Sequence, residues 1–81
     1  MRVKVLFFGR LREVAGKSED LVDVPHGALI DQLFKLCVAR KPELASFRSS
    51  VVASRNQEFA HWNTALESDD EVAFLPPVSG G

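Results

Sequence analysis

Three stretches of the chain carry the apolar pattern of β-strands. Residues 3–8 begin with alternation and become apolar on both sides, which predicts a strand covered on both faces. Residues 21–24 alternate and predict a second strand, antiparallel to the first. Residues 72–75 predict a last apolar strand, which ends because Pro76 and Pro77 cannot continue it.

One longer stretch, residues 28–40, has apolar positions at three- and four-residue spacing and predicts an amphipathic main helix. These positions are Leu29, Ile30, Leu33, Phe34, Leu36 and Cys37. Pro42 ends the helix. Weaker signals predict a helical turn over residues 10–15, closed by Gly16, and another over residues 42–45.

The short apolar runs 51–53 and 59–61 flank polar residues 55–58 and predict a hairpin. The order strand, strand, helix, two short strands, strand fits an α+β fold in which a mixed sheet wraps around one main helix, the β-grasp arrangement. The apolar first and last strands suit the centre of the sheet. The helix-containing connection between them supplies the crossover that a parallel pair requires.

Size and charge exclude several classes of protein. The 81 residues, 46% of them hydrophobic, suffice for one domain over residues 1–81 but not for a deep pocket within it. The net charge of -1 opposes nucleic-acid binding, because phosphate contacts require a basic excess. No stretch resembles a membrane span or a signal peptide, so we expect a cytoplasmic protein of the cytosol with no membrane partner.

Few side chains could carry chemistry. Cys37 falls on the apolar face of the main helix and is expected to be a buried hydrophobe, not a reactive thiol. His26 and His61 lack the spacing of metal ligands, and the acidic run 69–71 is interpreted as a solvated turn, so no metal site is predicted. Without a phosphate-binding glycine loop or a nucleophile–base set, the chain is not expected to catalyse a reaction alone.

The segment after the last strand is the most distinctive. Its two prolines favour an extended base, and it finishes on two glycines, so it can enter a channel too narrow for any Cβ. A frayed end is the simpler alternative. The residues predicted to insert are Pro77, Val78, Ser79, Gly80 and Gly81. The reactive group of this tail is the α-carboxylate of Gly81, which a partner must activate with ATP because the chain has no nucleotide site of its own.

Residues 5–9 (VLFFG), 12–16 (REVAG) and 70–81 (DEVAFLPPVSGG) together resemble the MoaD-type sulfur carriers, the small subunit of molybdopterin synthase. The resemblance extends over the whole chain in length and element order. It implies a ubiquitin-like β-grasp fold whose Gly81 is adenylated by a ubiquitin-activating-like adenylyltransferase and sulfurtransferase, then converted to a thiocarboxylate. The sulfur then passes to cyclic pyranopterin monophosphate, forming the molybdopterin dithiolene.

The resemblance also implies a heterotetramer in which small subunits flank a dimer of large subunits. The large subunit would supply the acid–base and anion-binding groups that this chain lacks. No cofactor is expected to stay bound to the chain, since ATP is used by the activating partner.

A docking surface for these partners is predicted on one face of the sheet. Alternation turns one set of side chains toward the main helix: Val3, Val5, Phe7, Val72 and Phe74. It turns a second set away from the helix: Leu6, Phe8, Ala73 and Leu75. Because little chain remains to cover this second set, we expect an exposed apolar patch, with partial cover by loops as the alternative. Arg12 is either an anchor at this interface or a solvated helix charge.

One position departs from the family pattern. Many relatives carry Ser or Thr where Leu29 stands, at the start of the main helix. If this residue is the N-cap, the helix lacks the side-chain oxygen that usually accepts a backbone N–H there, a loss of about 1 kcal/mol. His26 or Gly27 could take the cap instead.

Three other functions fit parts of the pattern. A ubiquitin-like sulfur carrier for thiamine synthesis or tRNA thiolation would share the fold and the terminal glycines. A ubiquitin-like modifier would join lysines through an isopeptide bond, and an inert interaction module would not use its glycines at all. The Phe7-Phe8 pair and the approach Phe74-Leu75-Pro76-Pro77 favour the molybdopterin carrier.

Overall fold

Five strands form one mixed sheet in the computed structural model, which describes residues 1–76. The strands are β1 (Arg2–Phe7), β2 (Glu19–Asp23), β3 (Val52–Arg55), β4 (Glu58–Ala60) and β5 (Glu71–Leu75). The helices are α1 (Arg10–Ala15), α2 (Ile30–Arg40) and a 3₁₀ helix (Pro42–Phe47). The insertion predicted for Pro77, Val78, Ser79, Gly80 and Gly81 lies outside the described residues.

The strand order is β2-β1-β5-β3-β4, and it confirms the predicted β-grasp fold. β1 and β5 lie at the centre and pair in parallel, with Val5 opposite Val72 and Phe7 opposite Phe74. The remaining pairs, β1 with β2, β3 with β5 and β3 with β4, are antiparallel. The connection between β1 and β5 contains α2, as a parallel pair requires.

The predicted core face is confirmed. Val3, Val5, Phe7, Val72 and Phe74 are at most 4% exposed and join a cluster with Ile30, Leu33, Phe34 and Cys37 of α2. The Phe74 ring lies 5.0 Å from that of Phe34 in an edge-to-face arrangement and 5.8 Å from that of Trp62 in a stack. Leu36 differs from the expectation, because it points to the solvent side of α2 and is 38% exposed.

Leu29 is the N-cap of α2, and the missing side-chain oxygen is replaced by other groups. The N–H groups of Ile30 and Asp31 donate to the backbone carbonyls of Thr64 and Trp62, at 3.0 and 2.9 Å. In the reverse direction, Gln32 Oε1 accepts the Leu29 N–H at 2.7 Å. The loop before β5 thus satisfies the start of α2, and neither His26 nor Gly27 is needed as the cap.

The acidic turn before β5 is not simply solvated, as the sequence had suggested. Asp70 is 5% exposed. Its carboxylate accepts hydrogen bonds from Arg55 Nε at 2.6 Å, Asn56 Nδ2 at 3.0 Å and the Glu67 N–H at 2.7 Å. These bonds join the β3–β4 turn to the loop before β5, which explains the burial of a charged side chain.

Candidate functional site

The outer face of the sheet, the one turned away from α2, carries an apolar patch. We call it the outer patch: Leu6, Phe8, Val52, Phe59, Ala73 and Leu75. Phe59 is 83% exposed, and Phe8 and Val52 are 44% exposed each. Leu6 and Leu75 are partly exposed. A monomeric domain gains nothing for folding from side chains held in water this way, so the patch has the character of a docking surface.

Strand register brings the members of the outer patch together. Leu6 is opposite Ala73 across the parallel pair, and Val52 is opposite Leu75 across β3 and β5. The Phe8 N–H donates to the Phe74 carbonyl at 3.3 Å, which holds Phe8 beside the end of β5. The four residues predicted for this face therefore lie on one continuous surface.

Ala73 differs from the expectation in one respect. It is 7% exposed, because its short side chain lies between larger neighbours on the adjacent strands, Leu6 and Ser54. Ala73 thus forms the floor of the outer patch and contributes little exposed area itself.

Val52 and Phe59 are members that the sequence interpretation missed. Ser54 pairs with Phe59, and both lie on the same face as Ala73 and Leu75. Alternation along β3 places Val52 and Ser54 on one face, and the hairpin places Phe59 opposite Ser54. This would have identified both residues only if the pairing of β3 with β5 had been known. Pairing between distant segments is not visible in local sequence.

The opposite end of the outer face is charged. Lys4 is opposite Glu71 in β5 and opposite Leu21 in β2, and its Nζ lies 4.0 Å from Glu19 Oε2. Leu21, 55% exposed, is an isolated apolar side chain among these charges, whereas the members of the outer patch lie toward the end where β5 leads into Pro76. The surface and the start of the tail are therefore adjacent.

Arg12 lies on the exposed side of α1, which follows Phe8 at the Leu75 end of the sheet. Its N–H donates to the Gly9 carbonyl at 3.1 Å, which joins α1 to the chain directly after Phe8. Among the ion pairs formed within residues 1–76, none involves the Arg12 guanidinium.

The side chains considered for internal chemistry lie elsewhere. Cys37 is buried on the inner face of α2, and burial raises the pKa of its thiol to about 11, which supports the interpretation of an unreactive side chain. His26 and His61 are exposed. Across residues 1–76 no three His, Cys, Asp or Glu side chains are grouped to hold a metal ion, and no helix there has the length and apolarity to cross a membrane.

A mixed sheet packed on one helix, with β1 and β5 parallel at its centre, defines a ubiquitin-like β-grasp protein. A model of the ThiS family matches residues 5–81. The molybdopterin synthase sulfur carrier subunit of Chlamydomonas reinhardtii is 40% identical over 83 residues, covering 100% of both chains. The chain therefore belongs to the ThiS family and, within it, groups with the molybdopterin synthase sulfur carrier subunits.

Solved structures share the ubiquitin-like fold of this chain. SAMP1 of Haloferax volcanii, a small archaeal modifier protein, superposes with a TM-score of 0.88 at 32% identity, covering 100% of both chains. A chain from the complex of subunits 1 and 2 of the molybdopterin-converting factor of Helicobacter pylori superposes with a TM-score of 0.70 over 100% of both chains. At 24% identity, this second likeness shows the shared fold alone.

Proposed function

We propose that the chain is the sulfur carrier subunit of a molybdopterin synthase, with Gly81 as the residue that carries the sulfur. The observation that supports it best is the placement of the last strand. β5 ends at Leu75, inside the outer patch, so the segment ending in two glycines starts beside an exposed docking surface. The full-length similarity to sulfur carrier subunits supports the same function.

The chemistry is carried by the last carboxylate. An oxygen of the Gly81 carboxylate attacks the α-phosphorus of ATP on an adenylyltransferase, and pyrophosphate leaves. The resulting acyl-adenylate is an electrophile, so a sulfur nucleophile supplied by that partner displaces AMP and yields the thiocarboxylate. In the large subunit the thiocarboxylate sulfur then bonds to a carbon of the pterin precursor, cyclic pyranopterin monophosphate, and an oxygen substituent leaves that carbon. Water hydrolyses the resulting thioester, so the sulfur stays on the pterin and the Gly81 carboxylate is regenerated.

The outer patch is the proposed contact with the large subunit. Its exposed aromatic and aliphatic side chains suit the core of a protein interface, and the Arg12 charge suits its rim. The tail, Pro77 to Gly81, enters the large subunit from the edge of that contact. Assembly into a heterotetramer of small and large subunits in the cytosol belongs to this proposal.

The carboxylate mechanism is tested at Gly81 itself. Full-length chain is incubated with the adenylyltransferase, ATP and a sulfur source, and its mass is measured before transfer to the pterin precursor is assayed with the large subunit. We expect the mass shift of one sulfur for one oxygen at the terminus, followed by pterin conversion. Deleting Gly81, or adding one residue after it, should abolish transfer, and transfer by either variant would refute the mechanism.

A second function is favoured by one finding, the 32% identity to the archaeal modifier SAMP1 across both full chains. A modifier uses the same activated carboxyl group, but a lysine amine instead of sulfur displaces AMP and leaves an isopeptide bond. Mass spectrometry of cell extracts separates the two functions. A lysine-linked Gly81 adduct in place of a terminal thiocarboxylate would assign the chain as a modifier.

A further inference from the structure

Pro76, the residue that joins the last strand to the tail, packs directly against Gly9. A Cβ placed on Gly9 would lie 2.9 Å from Pro76 Cγ and 3.6 Å from Pro76 Cδ. The optimal separation of two non-bonded carbon atoms is about 3.5 Å or more. Any side chain at residue 9 therefore forces Pro76 to move. The Pro76 ring therefore sits in a space that only glycine leaves open.

The backbone at Gly9 also requires glycine, and the other glycines of the body show what is particular to this one. Gly9 has φ 55° and ψ -133°, a conformation that is open almost only to glycine. Gly16 and Gly27 also have positive φ, at 78° and 79°, but a Cβ on either would meet no atom within 4 Å. Those two need glycine for backbone conformation alone, whereas Gly9 also receives the Pro76 ring.

Gly9 is held firmly on its own side. It is the N-cap of α1, and its carbonyl accepts the Arg12 N–H at 3.1 Å. The N–H of the preceding residue, Phe8, donates a hydrogen bond to the Phe74 carbonyl near the end of β5. On the other side, the ring of Pro76 fixes its own φ, and Pro77 restricts Pro76 to extended backbone. A stiff segment therefore rests on a fixed support.

In any extended segment, a small rotation at the root displaces the far end by a larger distance. Five residues follow Pro76. An extended chain of that length reaches at most about 17 Å, so a rotation of about 15° at its root displaces the far end by about 4 Å. Misplacement of a reacting group by about 1 Å can slow a reaction about a hundredfold.

We propose that Gly9 is a positioning residue for sulfur transfer, which sets the direction in which the tail leaves the sheet by seating the Pro76 ring. This inference rests on the proposed function, because it assigns a role in delivering the Gly81 thiocarboxylate. Gly9 touches neither the sulfur nor the substrate. It acts through Pro76, and its effect belongs to the transfer step, not to docking through the outer patch.

The test is a comparison of thiocarboxylated full-length chains in single-turnover sulfur transfer at saturating large subunit. Gly9→Ala should transfer about tenfold more slowly or worse, given the distance sensitivity of positioned reactions, while its Kd for the large subunit changes by no more than about threefold. The matched control is Gly16→Ala, which introduces a Cβ at positive φ without meeting Pro76. It should transfer within about twofold of the unsubstituted chain.

Double substitution isolates the contact. Pro76→Ala removes both ring atoms near Gly9, so it should slow transfer on its own. Gly9→Ala should slow the Pro76→Ala chain by much less than it slows the unsubstituted chain, because the clash is gone and only the backbone strain at residue 9 remains. Thermal unfolding of every variant shows which of them fold. If Gly9→Ala does not fold, Pro76→Ala still tests the same contact by removing the other partner.

Each failure has a distinct signature. Equal slowing by Gly9→Ala and Gly16→Ala, multiplicative slowing in the double variant, or unchanged transfer by Pro76→Ala would each overturn the positioning role. Failure of the unsubstituted, thiocarboxylated chain to transfer sulfur would instead overturn the proposed function.

Discussion

The two faces of the sheet are built from the same strands but treat apolar side chains in opposite ways. On the inner face the aromatic and aliphatic residues of β1 and β5 are at most 4% exposed and packed against α2. On the outer face Phe59 is 83% exposed and Phe8 44% exposed, although both are as hydrophobic as their buried counterparts. The inner face stabilises the domain, while the outer face leaves its apolar area exposed, as the proposed docking role requires.

The difference is sharpest in β5. Phe74 is fully buried, and its neighbour Leu75 is partly exposed in the outer patch. Because successive side chains of a strand point to opposite faces, one strand supplies both the core and the proposed docking surface. Substitutions at adjacent positions should therefore affect different properties of the protein.

The largest expected effect is on stability. Phe74→Ala should lower the free energy of unfolding by about 3 to 5 kcal/mol, because it removes a ring that contacts Phe7, Phe34 and Trp62. For a domain of this size that is a large share of the total. Leu75→Ala, one residue away, should cost less than about 1 kcal/mol. Urea denaturation measures both, and similar losses would contradict the distinction between the faces.

The second effect is on association with the large subunit. Here substitutions on the outer face should have the large effect, and they should act on affinity instead of stability. Phe59→Asp, Phe8→Asp or Leu75→Asp should weaken binding to the large subunit by about 2 kcal/mol, or about thirtyfold, without comparable loss of stability. Leu21→Asp is the matched control, because Leu21 is 55% exposed on the same face but beside Lys4, at the charged end.

Isothermal titration calorimetry with the isolated large subunit measures these affinities. Unchanged binding by all three outer-patch variants would remove the interface assignment. Equal weakening by Leu21→Asp would extend the interface over the charged end of the face.

The third effect is at the charged end of the sheet and depends on pH. Burial by itself would raise the pKa of Asp70, but hydrogen bonds from Arg55, Asn56 and the Glu67 N–H outweigh it and hold the pKa below its ordinary value. A carboxyl group with a lowered pKa stabilises the fold above its unfolded pKa of about 3.9. That contribution is lost as the pH falls through the lower, folded-state value.

Asp70→Asn should therefore cost about 1 to 3 kcal/mol near neutral pH, and the difference from the unsubstituted chain should shrink in acid. Asp69→Asn is the control, because Asp69 is exposed with φ 67°, a conformation that Asn accepts well. Urea denaturation from neutral pH down to about pH 3 checks this, since that range spans the unfolded pKa. Parallel stability profiles for Asp70→Asn and the unsubstituted chain would show that ionisation of Asp70 does not stabilise the fold.

Local sequence was sufficient for the elements and for the core. The alternation of residues 3–8 and the helical spacing of α2 are set by which side chains must leave water, so they are visible without a structure. The β1–β5 pairing also followed, because only apolar strands suit the centre of a sheet and a parallel pair needs a long connection.

Contacts between distant segments could not be predicted in the same way. Phe59 joins the outer patch only through the β3–β4 and β3–β5 registers, and Asp70 is buried only because Arg55 and Asn56 reach it from the hairpin. The contact of Gly9 with Pro76 depends on two segments that are far apart in the chain. In each case the surroundings of a residue are decided by a partner that its own stretch of sequence does not reveal.

The smallest effect concerns the start of α2. It tests how much of the free energy of unfolding comes from the N-cap of this helix instead of from its packing in the core. Gln32→Ala removes the acceptor of the Leu29 N–H and should cost about 0.5 kcal/mol, since the better helix propensity of Ala offsets part of the lost bond. Gln32→Glu keeps the acceptor and places a negative charge in the first turn, so it should be neutral or slightly stabilising. Thermal and urea unfolding measure both variants, and affinity for the large subunit should not change in either. A loss above about 2 kcal/mol in Gln32→Ala would mean that the loop carbonyls of Trp62 and Thr64 do not suffice to hold the start of the helix once the side-chain bond is gone.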